Sequence, residues 1–222
     1  MEHGKTVGDS FEYAKEGLVG KWAKWILLII SCIIFPLMMG YVMRIYRGVV
    51  PSPQLDEWGR MFVDGIKLFI VAIIYAIPIL IVEFAVIGSA GVAFFTTLTN
   101  PMADPNAVMG LAGAVLFGLV ILIIVAIIIE MIAIIGMVRF ARTDRFGEAF
   151  NFGAIFATIG RIGIPTYILA LIVLLLITGI IELICWVIPY VGWVLLIILL
   201  PFIGIFSARY ITLLYESAGE AA

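Results

Sequence analysis

Apolar residues fall in long unbroken runs along this chain, and polar positions gather in short stretches between them. Between Arg161 and Arg209 the only charged side chain is Glu182. A single helix over that stretch would be roughly 70 Å long, enough for two bilayer crossings. The break is predicted at "WVIPYVGW", where Pro189 and Gly192 interrupt the helix and Trp186, Tyr190 and Trp193 suit the headgroup layer. Other spans are predicted from about Trp22 to Met43, from near Leu68, and up to near Val138. The last two are joined through the polar turn "NPMADPN", Asn100–Asn106. Five spans result. A cleaved signal peptide competes for the first, but no small-residue cleavage site follows and the run continues into "GYVMRIYR".

The polar stretch at residues 53–69, "PQLDEWGRMFVDGIKLF", has its own period. Leu55, Trp58, Phe62, Ile66 and Phe69 recur at three- and four-residue steps, with Asp56, Arg60, Asp64 and Lys67 on the other side. About three turns cannot span, so this segment is expected to be a helix lying in the membrane surface, the alternative being a solvated loop. A second copy follows. "DEWGRMFVDG" (Asp56–Gly65) and "DRFGEAFNFG" (Asp144–Gly153) share Asp, an aromatic, Gly, Phe and Gly at the same positions, which sets Phe146 and Phe150 beside Trp58 and Phe62. Upstream, "MRIYR" ends at Arg47 and "VRFAR" ends at Arg142. The expected architecture is all-α: about five transmembrane helices with two interfacial amphipathic helices, arranged as two parallel internal repeats plus a final helix. Repeat one covers about residues 22–99, repeat two about 107–185, and the final span about 190–214 of a single integral membrane domain.

Composition agrees with the class, since 64% of the 222 residues are hydrophobic, only 13% are charged, and the mean hydropathy is +1.24. The net charge of −2 gives no basic field for nucleic acid. Its distribution carries more. Arg44, Arg47, Arg60 and Lys67 share one loop and Arg139, Arg142, Arg145 and Arg161 another, whereas the Asn100–Asn106 and Pro189–Gly192 turns have no Lys or Arg. The positive-inside rule then places both Arg-rich loops and the C-terminus in the cytoplasm of a multi-pass cell-membrane protein. With five spans the N-terminus lies outside, although Lys5, Lys15, Lys21 and Lys24 are there. Otherwise the first segment bends at Pro36 and does not fully span. Cys32 and Cys185 lie within apolar spans and read as small buried side chains.

The run "GYVMRIYR" from Gly40, "LDEWGRMFVDGIK" from Leu55 and "IYAIP" ending at Pro78 resembles an uncharacterised archaeal polytopic membrane-protein family, a domain of unknown function. Its members share Gly-Tyr followed by basic residues, a Leu-Pro-Glu-Trp-like segment, and Gly-x-Lys leading into a Tyr-containing span. Here Gln54-Leu55-Asp56 departs from that order while Glu57-Trp58 keeps it. The resemblance implies an archaeal membrane protein and no reaction.

Candidate chemistry is sparse. His3 is the only histidine, and no Gly-rich phosphate loop, Cys-x-x-Cys pair or nucleophile elbow occurs, so no enzyme activity, metal or cofactor is expected. Intramembrane carboxylates are the remaining signal. Glu83 falls roughly 24 Å, and Glu130 roughly 13 Å, from the Arg-rich edge along a helix rising 1.5 Å per residue. Either both are a proton or cation site, or each is a neutral acid hydrogen-bonded to a neighbouring helix. Glu182 comes out near the outer surface. Gly110, Ala114 and Gly118, with Ser89, Ala93 and Thr97 facing them, form a small-residue stripe expected to be a helix-packing seam or an oligomer interface. Two functions stay open: a non-enzymatic membrane scaffold or accessory subunit, and a small proton or cation transporter or channel using Glu83 and Glu130. The expected partners are the lipid bilayer and a homo-oligomer or membrane-complex partner, with no nucleic acid.

Overall fold

The computed structural model describes residues 3–99 and 105–219. The Asn100–Asn106 turn falls mostly outside these residues, as do the side chains of His3 and Thr97. The described chain is helical: α1 His3–Leu18, α2 Trp22–Ile33, α3 Phe35–Tyr46, α4 Trp58–Thr99, α5 Pro105–Thr143, α6 Phe152–Ile162, α7 Ile164–Val187 and α8 Val191–Glu216, with a 3₁₀ turn at Phe146–Phe150. Four helices, α4, α5, α7 and α8, are long and apolar enough to cross a membrane, and a fifth crossing is counted if α2 and α3 form one span.

That first segment is not straight. Between Ile33 and Phe35 it turns by 118°, because Pro36 has no N–H to give to Cys32 and its ring starts a new helix instead. The α2 and α3 arms are 12 residues each, roughly 18 Å, so either is too short to cross alone.

The chain divides into two compact units, one of Met1–Val71 with Ile134–Ala222 and one of Ala72–Ala133. In the first unit α1 packs along α8, and α8 also meets α2, α3 and α7. The α1 stripe facing inward is Thr6, Ser10, Tyr13, Ala14 and Leu18, and small residues in it let the helix lie close. Tyr13 donates to the Val49 carbonyl at 2.7 Å, and a side chain at Gly17 would collide with Ser52. The N-terminal helix therefore sits beside the loop that follows α3.

The turn between α7 and α8 occurs where it was predicted. Tyr190 is in the left-handed region at φ 60°, and a side chain at Gly192 would overlap the Cys185 carbonyl, so only glycine permits this reversal. The Trp186 and Trp193 rings meet across it, tilted by 54° with centroids 5.1 Å apart.

The two elbows differ from expectation and from each other. Residues 58–66 are not a separate in-plane helix; they are the first turns of the 42-residue α4, roughly 63 Å long. Nothing between Gly65 and Leu68 interrupts the hydrogen-bond ladder, and the helix continues through Pro78. In the second copy the same motif forms the 3₁₀ turn and α6, and Gly163 at φ 91° separates α6 from α7. Within the second unit, Ala72–Ala133, α4 and α5 meet where Gly118 lies against Val86, a contact that leaves no room for a side chain at 118.

Candidate functional site

The family-like residues of the first elbow build a close crossing of α3 and α4. A Cβ at Gly40 would overlap the Met61 carbonyl, and one at Gly65 would overlap that of Pro36. Tyr41, the neighbour of Gly40, is fully buried and donates to the Pro53 carbonyl at 3.0 Å. Its oxygen also lies 2.7 Å from Ser52 Oγ, and Lys24 Nζ lies 3.2 Å from the same Oγ. Since the phenol proton is used on Pro53, Ser52 donates to Tyr41 and Lys24 donates to Ser52. Lys24 is only 8% exposed, a cation held among hydroxyls rather than beside a carboxylate.

Around this crossing, arginines and acids interlock. Arg44 reaches Asp56 at 2.5 Å and the carbonyls of Gln54 and Asp56, fixing the irregular segment that precedes α4. Arg47 pairs with Asp64 at 2.6 Å and approaches Asp144 at 3.6 Å, and Lys67 stands between the same two acids. Arg139 pairs with Glu148 at 2.6 Å, and Arg142 pairs with Glu216 near the end of α8. The hydrogen bond from Arg139, with a second from Asn151, holds the Glu148 carboxyl below its ordinary range. Burial pushes the Tyr13 phenol up to about 12 against the pull of Arg209, whose guanidinium sits 5.0 Å from the Tyr13 ring centroid. Tyr13 is thus a neutral donor at physiological pH.

The expected interfacial residues lie largely at the surface. Trp58 and Phe62 point outward at 37% and 39% exposure, and Phe146 is exposed with Phe150 half-buried. Outward apolar side chains suit lipid contact. Inward-facing positions of α4 are Met61, Asp64 and Leu68, and Asp64, expected on a wet face, is 4% exposed because Arg47 comes to meet it.

Glu83 is half-buried, on the same stripe as Ile79, Val82, Val86 and Ala90, whereas Glu130 is exposed. The antiparallel register set by Gly118 and Val86 separates the two acids by about nine residues, roughly 14 Å along the pair. Among the described residues neither acid makes an ion pair or a hydrogen bond. A cleft of about 390 Å³ lies between α4 and α5, lined by apolar residues including Val86, Ala90, Phe94, Leu111 and Val115, and neither acid borders it. Of the small-residue stripe, Gly118 is buried and Ala93 half-buried, while Gly110, Ala114 and Ser89 are exposed. Of these positions, Gly118 is the one that lies directly against the facing helix, at Val86. Glu182 is exposed, Cys185 buried and Cys32 half-buried.

Long apolar helices able to cross a bilayer, with ion pairs gathered where they begin and end, define a multi-pass helical membrane protein. Residues 25–190 match the model of the family described as "Protein of unknown function (DUF4013)", and the chain belongs to that family. The matched residues include Gly40-Tyr41, Glu57-Trp58 and Gly65-Ile66-Lys67. No curated protein and no solved structure matches the chain.

Proposed function

We propose that the protein is a non-enzymatic membrane scaffold or accessory subunit. The observation that carries this reading is the distribution of polar groups. Arg44, Arg47, Arg139 and Arg142 are all engaged with carboxylates of the chain itself, and the cleft between α4 and α5 is apolar. A cation path needs successive polar stations, whereas Glu83 and Glu130 stand at different levels with apolar residues between. The orientation follows the positive-inside rule: the Arg-rich end faces the cytoplasm, and with four crossings both termini lie there too. The bilayer is the first partner, and a second copy or another membrane subunit is the second.

The competing reading is a proton or cation conductor using Glu83 and Glu130. Reconstituted liposomes separate the two. A scaffold gives no flux across a panel of cations and pH gradients, and native mass spectrometry finds a bound copy or subunit. Flux that disappears in the Glu83→Gln, Glu130→Gln double variant, which keeps side-chain size and hydrogen-bonding capacity, establishes the conductor instead.

A further inference from the structure

Two hydrogen bonds in the first unit mirror each other. Arg47 Nε donates to the Ala141 carbonyl at 3.3 Å, and Arg142 Nε donates to the Tyr46 carbonyl at 2.6 Å. These four residues hold matching places in the chain: "MRIYR" and "VRFAR" end on the two arginines, with Tyr46 and Ala141 immediately before them. Each acceptor also lies in the last turn of its helix, α3 or α5, where carbonyls have no intrahelical donor and the helix dipole is negative. Each arginine therefore caps the helix that carries the other.

We infer that Arg47 and Arg142 form a reciprocal clasp, a local two-fold joint that locks the C-terminal ends of α3 and α5 together. Surrounding contacts follow the same symmetry. Arg44 and Arg139, again matching positions, each bind an acid of their own following elbow, Asp56 and Glu148. The symmetry breaks at the acids behind the clasp. Arg47 is backed by Asp64, whose counterpart ten-residue-motif position in the second copy is Phe152, and Arg142 is backed by Glu216 of α8. Arg142 also lies 5.9 Å from the Tyr215 ring centroid and its guanidinium packs over Gly48 at φ 83°. The final helix thus supplies what the second copy lacks, and joins the end of the chain to the clasp. The joint holds whether or not the spans conduct ions.

Hydrogen–deuterium exchange of the full chain in nanodiscs tests it. Arg47→Lys and Arg142→Lys keep the charge that Asp64 and Glu216 need but remove the Nε donor. With a clasp, Arg47→Lys speeds exchange at the end of α5, residues 139–144, and Arg142→Lys speeds exchange at the end of α3, residues 44–48, each roughly tenfold as expected for loss of a charged hydrogen bond. The double variant speeds both segments, each no further than the single variant that acts on it. Faster exchange only in the helix that carries the substitution, or a further rise at either segment in the double variant, overturns the clasp. Should Arg142→Lys fail to fold, Glu216→Gln reports through the same arginine, and unchanged exchange at residues 44–48 then counts against it.

Discussion

At the scale of single residues, the glycines of the first elbow act through what they lack. Gly40 and Gly65 allow backbone to lie on backbone, so Gly40→Ala and Gly65→Ala must force α3 from α4. Each should destabilise the protein by about 1–3 kcal/mol or more, as overpacking does. Gly59, also in α4, has open space around it, and Gly59→Ala should leave the thermal midpoint in detergent unchanged or slightly raised. Equal effects at the three positions would remove the crossing. Glu148 offers a pH test. Its carboxyl is held below the ordinary value of 4.5, chiefly by the Arg139 hydrogen bond. A depressed folded-state pKa contributes stability that is present above the unfolded-state value and is lost as pH falls through the folded one. Stability should therefore decline in the acid range below 4.5, and Glu148→Gln should flatten that part of the profile. An identical acid limb in the variant would show that the pair adds nothing.

At the scale of elements, one motif gives two structures. Asp, aromatic, Gly, Phe and Gly open a continuous helix in the first copy and a 3₁₀ turn with a short helix in the second. The difference starts at Asn151, which accepts from Ala154 N and caps α6 where the first copy has Val63, and continues downstream. Gly65 is pinned against Pro36 and followed by "IKLF", all compatible with helix, whereas the second copy reaches Gly163 and Pro165, which end α6 and start α7. Three substitutions check this. Ile66→Pro removes a ladder hydrogen bond inside α4 and should cost about 3 kcal/mol or more; an elbow with a break near Gly65 would tolerate it. Gly163→Ala, at φ 91°, should cost about 1 kcal/mol through left-handed strain, while Gly160→Ala, on α6 with open space, should not. Thermal unfolding of the three variants reads the outcome.

For the whole molecule, the docking of α1 sets the test of topology. Tyr13 and Gly17 sit against residues 49 and 52, so α1 lies beside the loop that follows α3. In a chain with Cys32 and Cys185 replaced, single cysteines at Gly4 and Thr143 should be modified from the same side of sealed vesicles, and one at Tyr190 from the other. Labelling of positions 4 and 143 from opposite sides would restore a fully spanning first segment.

Membrane class, helical architecture and the tight turn at Pro189–Gly192 were legible from residue order alone. A run of apolar residues, or a Pro and Gly between two of them, acts locally and needs no partner to be read. The fates of Asp64, Trp58 and Thr6 were not. A helical period separates two faces of a segment but does not say which meets protein, and in α4 Asp64 alone of the charged side is buried, because Arg47 arrives from the end of α3, while Arg60 and Lys67 stay open. The α1 stripe was silent for a related reason: Thr6, Ser10, Ala14 and Gly17 are too small or too polar to register as an apolar face, yet they allow close packing. Glu83 and Glu130 were recognised as costly in hydrocarbon, while their separation in depth followed from the register that Gly118 sets with Val86. The two arginines that cap each other's helices are 95 residues apart in the chain. Only the folded chain brings their donors to each other's helix-end carbonyls, because that geometry depends on where both helices end.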